Sequence, residues 1–194
     1  EYDRIGAKVD SILKQLPEEE KAGFYQLLYY PVKGCEFLNK MVLYGQKNRW
    51  YALQKRAATN SISKEVKAYY DSLQIITQGY NSLLNGKWNP VMTTRQGFAA
   101  SYFELPKLMT VSLPDVPSLG VLAEGEDVLQ GKSSIHTLPA FNTYFRQSYY
   151  VDLFNKGIIP LNWSVTTSDD WIVIDKKEGI TKLEERIWVS IDWT

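Results

Sequence analysis

Ile62-Ser63-Lys64-Glu65-Val66-Lys67-Ala68-Tyr69-Tyr70-Asp71-Ser72-Leu73-Gln74-Ile75-Ile76-Thr77-Gln78-Gly79-Tyr80-Asn81-Ser82-Leu83 decides the first part of the fold. Its apolar residues Ile62, Val66, Tyr69, Leu73, Ile76, Tyr80 and Leu83 recur in alternating steps of four and three. That repeat is the seam of packed helices. Thr59, Asn60 and Ser61 offer capping oxygens before it, and Asn85-Gly86 offers a stop after it. Toward the N-terminus, Tyr2, Ile5, Val9, Ile12 and Leu16 form a second stripe. Phe24, Leu27, Leu28, Val32, Cys35, Leu38 and Val42 form a third. Pro17 followed by Glu18, Glu19 and Glu20 reads as a helix start, with the acids at the positive end of the dipole. Pro31 lies inside the third stripe, where it lacks an N–H and crowds the preceding turn, so a kink or break is expected near Tyr29 and Tyr30. One apolar face per helix predicts an antiparallel bundle over 1–86.

Outward from the bundle, prolines multiply. Two of the eight prolines precede residue 87 and six follow it. Residues 87–118 read as a connector, apolar enough over 98–105 to be strapped to a surface. From residue 119 the pattern becomes strand-like. Gly120-Val121-Leu122-Ala123 is a short apolar run, 148–154 is rich in aromatic and branched residues, and Asn155-Lys156-Gly157 is a turn signal. Segments 163–167, 171–174 and 187–193 follow, separated by Ser168-Asp169-Asp170 and Glu178-Gly179. Ile187, Val189, Ile191 and Trp193 alternate with Trp188, Ser190 and Asp192, as in a strand buried on one face. Short strands with regular turns predict an immunoglobulin-like antiparallel β-sandwich over 119–194. The fold class expected is therefore α+β in two domains, helical bundle first.

Composition bounds the function. The chain has 194 residues, 44% of them hydrophobic, which excludes a disordered chain. Its 22 basic and 22 acidic side chains leave no basic surplus for nucleic acid, and no apolar run is long enough to span a membrane. Cys35 is the single cysteine, so neither an internal disulfide nor a cysteine metal site is possible. Glu1 as first residue suggests a processed or excised chain.

The search for chemistry finds no glycine-rich phosphate loop, no nucleophile elbow and no zinc-binding helix motif. Asp169 and Asp170 could hold calcium or act as carboxylate catalysts, but polar turn residues are the expectation. Glu184-Glu185-Arg186 is expected in a solvated hairpin, and Cys35 buried and inert. His136, the single histidine, lies among Ser133, Ser134 and Thr137 with no evident orienting acid. No catalytic residue, metal site or cofactor is expected. The tryptophans are more informative. Trp163, Trp171, Trp188 and Trp193 crowd into one stretch, with Trp171 and Trp193 expected in the core. Trp188 points away from Ile187 and Val189 and is the candidate for an exposed, sugar-stacking ring. Trp50, in the Lys47-Asn48-Arg49-Trp50-Tyr51 cluster, is the second candidate carbohydrate contact.

Tyr30-Pro31-Val32, Asn39-Lys40 and Leu43-Tyr44-Gly45-Gln46-Lys47-Asn48-Arg49-Trp50-Tyr51-Ala52 together resemble the helical region that follows the catalytic barrel in glycoside hydrolase family 115. Asn85-Gly86-Lys87-Trp88, Pro117-Ser118-Leu119-Gly120-Val121, Glu124-Gly125 and Leu138-Pro139-Ala140-Phe141 continue the resemblance in order. So do Tyr150-Val151-Asp152-Leu153-Phe154-Asn155-Lys156-Gly157 and Trp188-Val189-Ser190-Ile191-Asp192-Trp193. The resemblance covers nearly the whole chain. The stretch 163–193 is also similar to small carbohydrate-associated sandwich modules of gut Bacteroidetes. The resemblance implies a parent α-glucuronidase that removes glucuronic acid or its 4-O-methyl ether from xylan. Its catalytic acids would sit in an N-terminal (β/α)8 barrel outside this chain, so none carries over, and its sandwich would continue past Thr194. The implied role is non-catalytic: support of that barrel within one polypeptide, a part in a homodimer, contact with xylan, and a secreted or periplasmic location. The alternative is an independent carbohydrate-binding module using exposed tryptophans.

Overall fold

The computed structural model describes residues 1–93, 103–126 and 135–194. The fold is α+β, helices first and antiparallel sheets after. By its own contacts the chain forms two compact units, Glu1–Asn48 with Ile62–Leu108, and Arg49–Ser61 with Met109–Thr194. The units therefore interleave along the sequence, because the turn joining the two long helices clusters with the strands.

In the helical unit, α1 (Tyr2–Gln15) is followed by α2 (Glu18–Phe24), a π-helical segment (Tyr25–Tyr29), α3 (Tyr30–Leu53) and α4 (Ala58–Gly86). Pro17 caps α2 and the three glutamates fill its first turn. The break expected at Pro31 takes the form of the π segment, in which the Tyr30 N–H reaches back five residues to the Tyr25 carbonyl. The wider turn accommodates a proline that could not complete an ordinary helical ladder.

The α4 seam is buried as its spacing predicts, through Ile62, Val66, Leu73, Ile76 and Tyr80. Tyrosines meet it from the facing elements. The Tyr25 hydroxyl donates to the Ile76 carbonyl at 2.9 Å, and the Tyr30 ring lies 4.9 Å from that of Tyr80. The Tyr44 ring lies 5.6 Å from that of Tyr69, so α3 and α4 run antiparallel. The stop at Asn85-Gly86 is also as expected, with Leu84, Asn85 and Gly86 at positive φ. The start is not. Thr59, Asn60 and Ser61 lie inside the first turn of α4, and the Asn60 amide pairs instead with both main-chain groups of Val111.

The third stripe is reversed. Lys33, Glu36, Met41, Gly45, Asn48 and Tyr51 are the buried positions of α3, whereas Leu28, Cys35 and Val42 are exposed. Cys35 is thus not a core thiol. The physical reason is phase: the π segment inserts an extra residue and rotates everything after it relative to a 3.6-residue count. What α3 turns toward α1 is ionic. Lys33 pairs with Glu36 at 2.7 Å and Asp10 at 3.0 Å, while Lys40 pairs with Glu36 at 2.7 Å and with Asp3. Gly6 is bare because the Glu36 carboxylate fills the space of its missing side chain.

In the second unit, β1 (Leu119–Ala123), β2 (Ser148–Asn155), β6 (Glu184–Ile191) and β4 (Ile172–Ile174) form one antiparallel sheet in the order β1-β2-β6-β4. β3 (Leu161–Ser164) and β5 (Glu178–Thr181) form a second. Leu153, Ile187 and Trp163 make the core between them, with Val121, Val151, Val165 and Ile174 around it. β5 corrects the reading of Glu178-Gly179 as a turn: Gly179 is a strand residue opposite Trp163, bare because the indole occupies its side-chain space. β6 has β2 on one side and β4 on the other, so the last strand has both neighbours and is not an open edge. Residues 94–102, within the stretch expected to be strapped down, lie outside the described residues.

Candidate functional site: the outer face of the large sheet

Residues of β2 and β6 alternate between faces. Leu153 and Ile187 point to the core, which sends Phe154, Asp152 and Tyr150, with Glu184, Arg186 and Trp188, to the other face. The α3–α4 turn covers one end of this face. Arg56, almost wholly buried, lays its guanidinium between the rings of Tyr51 at 4.3 Å and Phe154 at 4.1 Å. Its Nη1 donates to Glu184 Oε2 at 3.0 Å, its Nη2 to Asp152 Oδ2 at 3.4 Å, and its Nε to Gln54 Oε1. The Tyr51 hydroxyl donates to the other Glu184 oxygen at 3.1 Å. Burial, and behind it the Glu184 charge, hold that hydroxyl well above the usual tyrosine pKa. The Ala57 N–H closes the turn onto the Asn155 carbonyl at 2.8 Å.

Beyond the turn the face is open. Arg186 donates from Nε to Asp152 Oδ1 at 2.8 Å and from Nη2 to Oδ2 at 3.3 Å. Its guanidinium lies 3.6 Å from the centre of the Tyr150 ring. The hydrogen bonds to Asp152 lead in raising the Arg186 pKa further, against some desolvation. Trp188, opposite Tyr150 in the register, meets that ring edge-on at 5.7 Å and remains 43% exposed. The Trp188 main-chain N–H donates to Asp175 Oδ1 at 2.8 Å.

Trp188 is therefore an open ring, as its place in the alternation predicts. Trp50, near the end of α3, is 41% exposed, while its neighbour Tyr51 is buried against Arg56. Trp171 and Trp193, expected in the core, are exposed: Trp171 precedes the short β4, Trp193 lies past the end of β6, and neither is carried inward by a strand. Trp163 alone of the four is buried. Glu184-Glu185-Arg186 is a stretch of strand and not a solvated hairpin, and Glu185 pairs with Lys176.

Asp152 and Glu184 are the acids brought together, and both accept from guanidinium. A glycosidase pair needs one carboxylic acid with a proton to give and a second group facing the same sugar. Elsewhere, His136 does have an orienting acid. Its Nδ1 lies 2.7 Å from Glu126 Oε2, and Glu126 also accepts from the Ala123 and Thr137 N–H groups. Desolvation opposes ionisation of Glu126, but these donors keep its pKa below the usual value. Ser133 and Ser134 lie outside the described residues. Asp169 is in a turn, where it accepts from Ser168 at 2.7 Å. Among the described residues no group of three or more His, Cys, Asp or Glu is placed to hold a metal ion, and no helix is long and apolar enough to cross a membrane.

No protein-family model matches the chain, and no curated protein sequence matches it. Among solved structures it is similar to a family GH115 4-O-methyl-α-glucuronidase with specificity for decorated arabinogalactans, at 15% identity and a TM-score of 0.46. The match covers 98% of this chain and 30% of that enzyme, so the chain spans under a third of its length.

Proposed function

We propose that this chain is a non-catalytic accessory region of a glycoside hydrolase acting on glucuronic-acid-substituted xylan. Its helices support a catalytic barrel of the same polypeptide and contribute to a homodimer, in a secreted or periplasmic enzyme. The observation that carries this reading is the reversed stripe. Leu28, Cys35 and Val42 form a heptad seam on the open side of the helices, with Val32 and Leu38 half-buried along it. Leu27, 73% exposed, and Leu43, 65% exposed, widen it. A seam of that spacing is what one helix offers another element, and an apolar strip in water marks a contact surface. The barrel is taken as the partner because the ordered motifs from Tyr30 to Trp193 resemble the region that follows the barrel in glycoside hydrolase family 115.

The exposed indoles support a second reading, an independent carbohydrate-binding module in which Trp188 and Trp50 stack on sugar rings. The reading frame upstream of Glu1 separates the two. A (β/α)8 barrel encoded there supports the accessory role. A reading frame that encodes no barrel upstream of Glu1 overturns it in favour of the module.

A further inference from the structure

We infer that Arg186, Trp188 and Asp175 form a binding site for a single hexuronate residue, braced from behind by Tyr150. Arg186 and Trp188 are two residues apart on β6, so their side chains leave the same face about 7 Å apart. That separation suits one pyranose ring and the carboxylate on its C5. The apolar C–H face of the sugar lies on the indole while the carboxylate reaches the guanidinium.

The guanidinium is set for such a ligand before the ligand arrives. Of its five N–H donors, Asp152 takes one from Nε and one from Nη2, which leaves the Nη1 edge for an incoming carboxylate. Stacking on Tyr150 and the paired bonds to Asp152 fix its plane, and the side chain remains 46% exposed. The same Tyr150 ring holds the indole edge-on. Rigid recognition groups lose little freedom on binding. On the β4 side of Trp188, Asp175 spends Oδ1 on the Trp188 main-chain N–H, and its exposed Oδ2 can accept from a ring hydroxyl. The face thus offers a donor for an anion, a flat apolar platform and an acceptor for hydroxyls. A neutral hexose lacks the anion, and an aromatic acid lacks the hydroxyls.

The identification of the anion as a uronate rests on the reading of the chain as an accessory to glucuronoxylan hydrolysis, but the site is tested separately. The unaltered chain is titrated with methyl α-D-glucuronide, methyl α-D-glucoside and benzoate, following tryptophan indole and arginine Nε resonances by nuclear magnetic resonance. The Trp188 and Arg186 signals should shift and saturate with the glucuronide, at an affinity about tenfold or more above those for the glucoside and benzoate, as a charge-assisted contact supplies. Trp188→Ala should remove binding without disturbing the ion cluster. Arg186→Gln should weaken the glucuronide about tenfold and leave the glucoside unchanged, with a thermal melt confirming that the variant is folded. Equal affinity for glucuronide and glucoside, equal affinity for benzoate, or shifts at other indoles only would overturn the inference. Those results leave the upstream reading frame as evidence for the accessory role untouched. A missing barrel with selective binding intact would fail that role and keep the site.

Discussion

Arg56 reaches Glu184 across 128 residues of sequence, its Nη1 3.0 Å from the carboxylate, and the contact fixes the α3–α4 turn to β6. The guanidinium is buried with Asp152 on its other side. Removing it takes a buried guanidinium from two carboxylates, leaving Asp152 to Arg186 and Glu184 to the Tyr51 hydroxyl. Arg56→Ala should therefore destabilise this unit by about 3–5 kcal/mol, the range for breaking a buried ion pair. Glu184→Gln, which keeps the shape and an acceptor, should cost less. Denaturant unfolding of both variants checks the order, and equal costs would show that the charge on Glu184 accounts for the whole effect, with nothing added by packing on Tyr51 and Phe154.

Gly179 and Trp163 make a size-matched pair across β3 and β5. Gly179→Val should force the indole from its place and cost about 1–3 kcal/mol. Trp163→Ala should cost about 3–5 kcal/mol. The double variant should recover part of the loss, since the valine then enters space the indole has left. Additive losses in a melt would contradict the packing.

On α4, neighbouring positions should behave oppositely. Leu73 is buried in the seam, and Leu73→Ala should cost about 2–5 kcal/mol. Ile75 is 67% exposed, and Ile75→Ala should change stability by no more than about 0.5 kcal/mol.

The tyrosines of the π segment give a pH signature. Burial, with Tyr29 and Tyr30 nearby, pushes Tyr25 up to about 12. Burial and Asp10 push Tyr29 up to about 12. A raised folded-state value means that stability is fully present below the unfolded value of about 10 and is lost as the pH rises toward the folded one. Phenolate absorbance should show a late component that Tyr25→Phe and Tyr29→Phe each reduce. A single titration centred near pH 10, with no late component, would contradict the burial.

The parts of the fold legible in the sequence are those set by short, regular periods. The α4 seam follows the heptad because nothing interrupts it, and Trp188 is open because two-residue alternation needs no distant partner. The third stripe was legible as a stripe but not in its direction, because a π turn leaves no mark in an apolar count. β5 was hidden by Gly179, whose bareness answers to Trp163 sixteen positions away. The Arg56 cluster was invisible for the same reason on a larger scale. Its carboxylates come from β2 and β6, and no local pattern distinguishes a buried arginine from a solvated one.

The proposed role has this chain support a barrel and bind sugar without hydrolysing it. The direct measurement is chromatographic product analysis after prolonged incubation of the purified chain with glucuronoxylan and its aldouronic fragments. No glucuronic acid or 4-O-methylglucuronic acid should be released. Steady release, abolished by substituting a single carboxylate within residues 1–194, would contradict the claim.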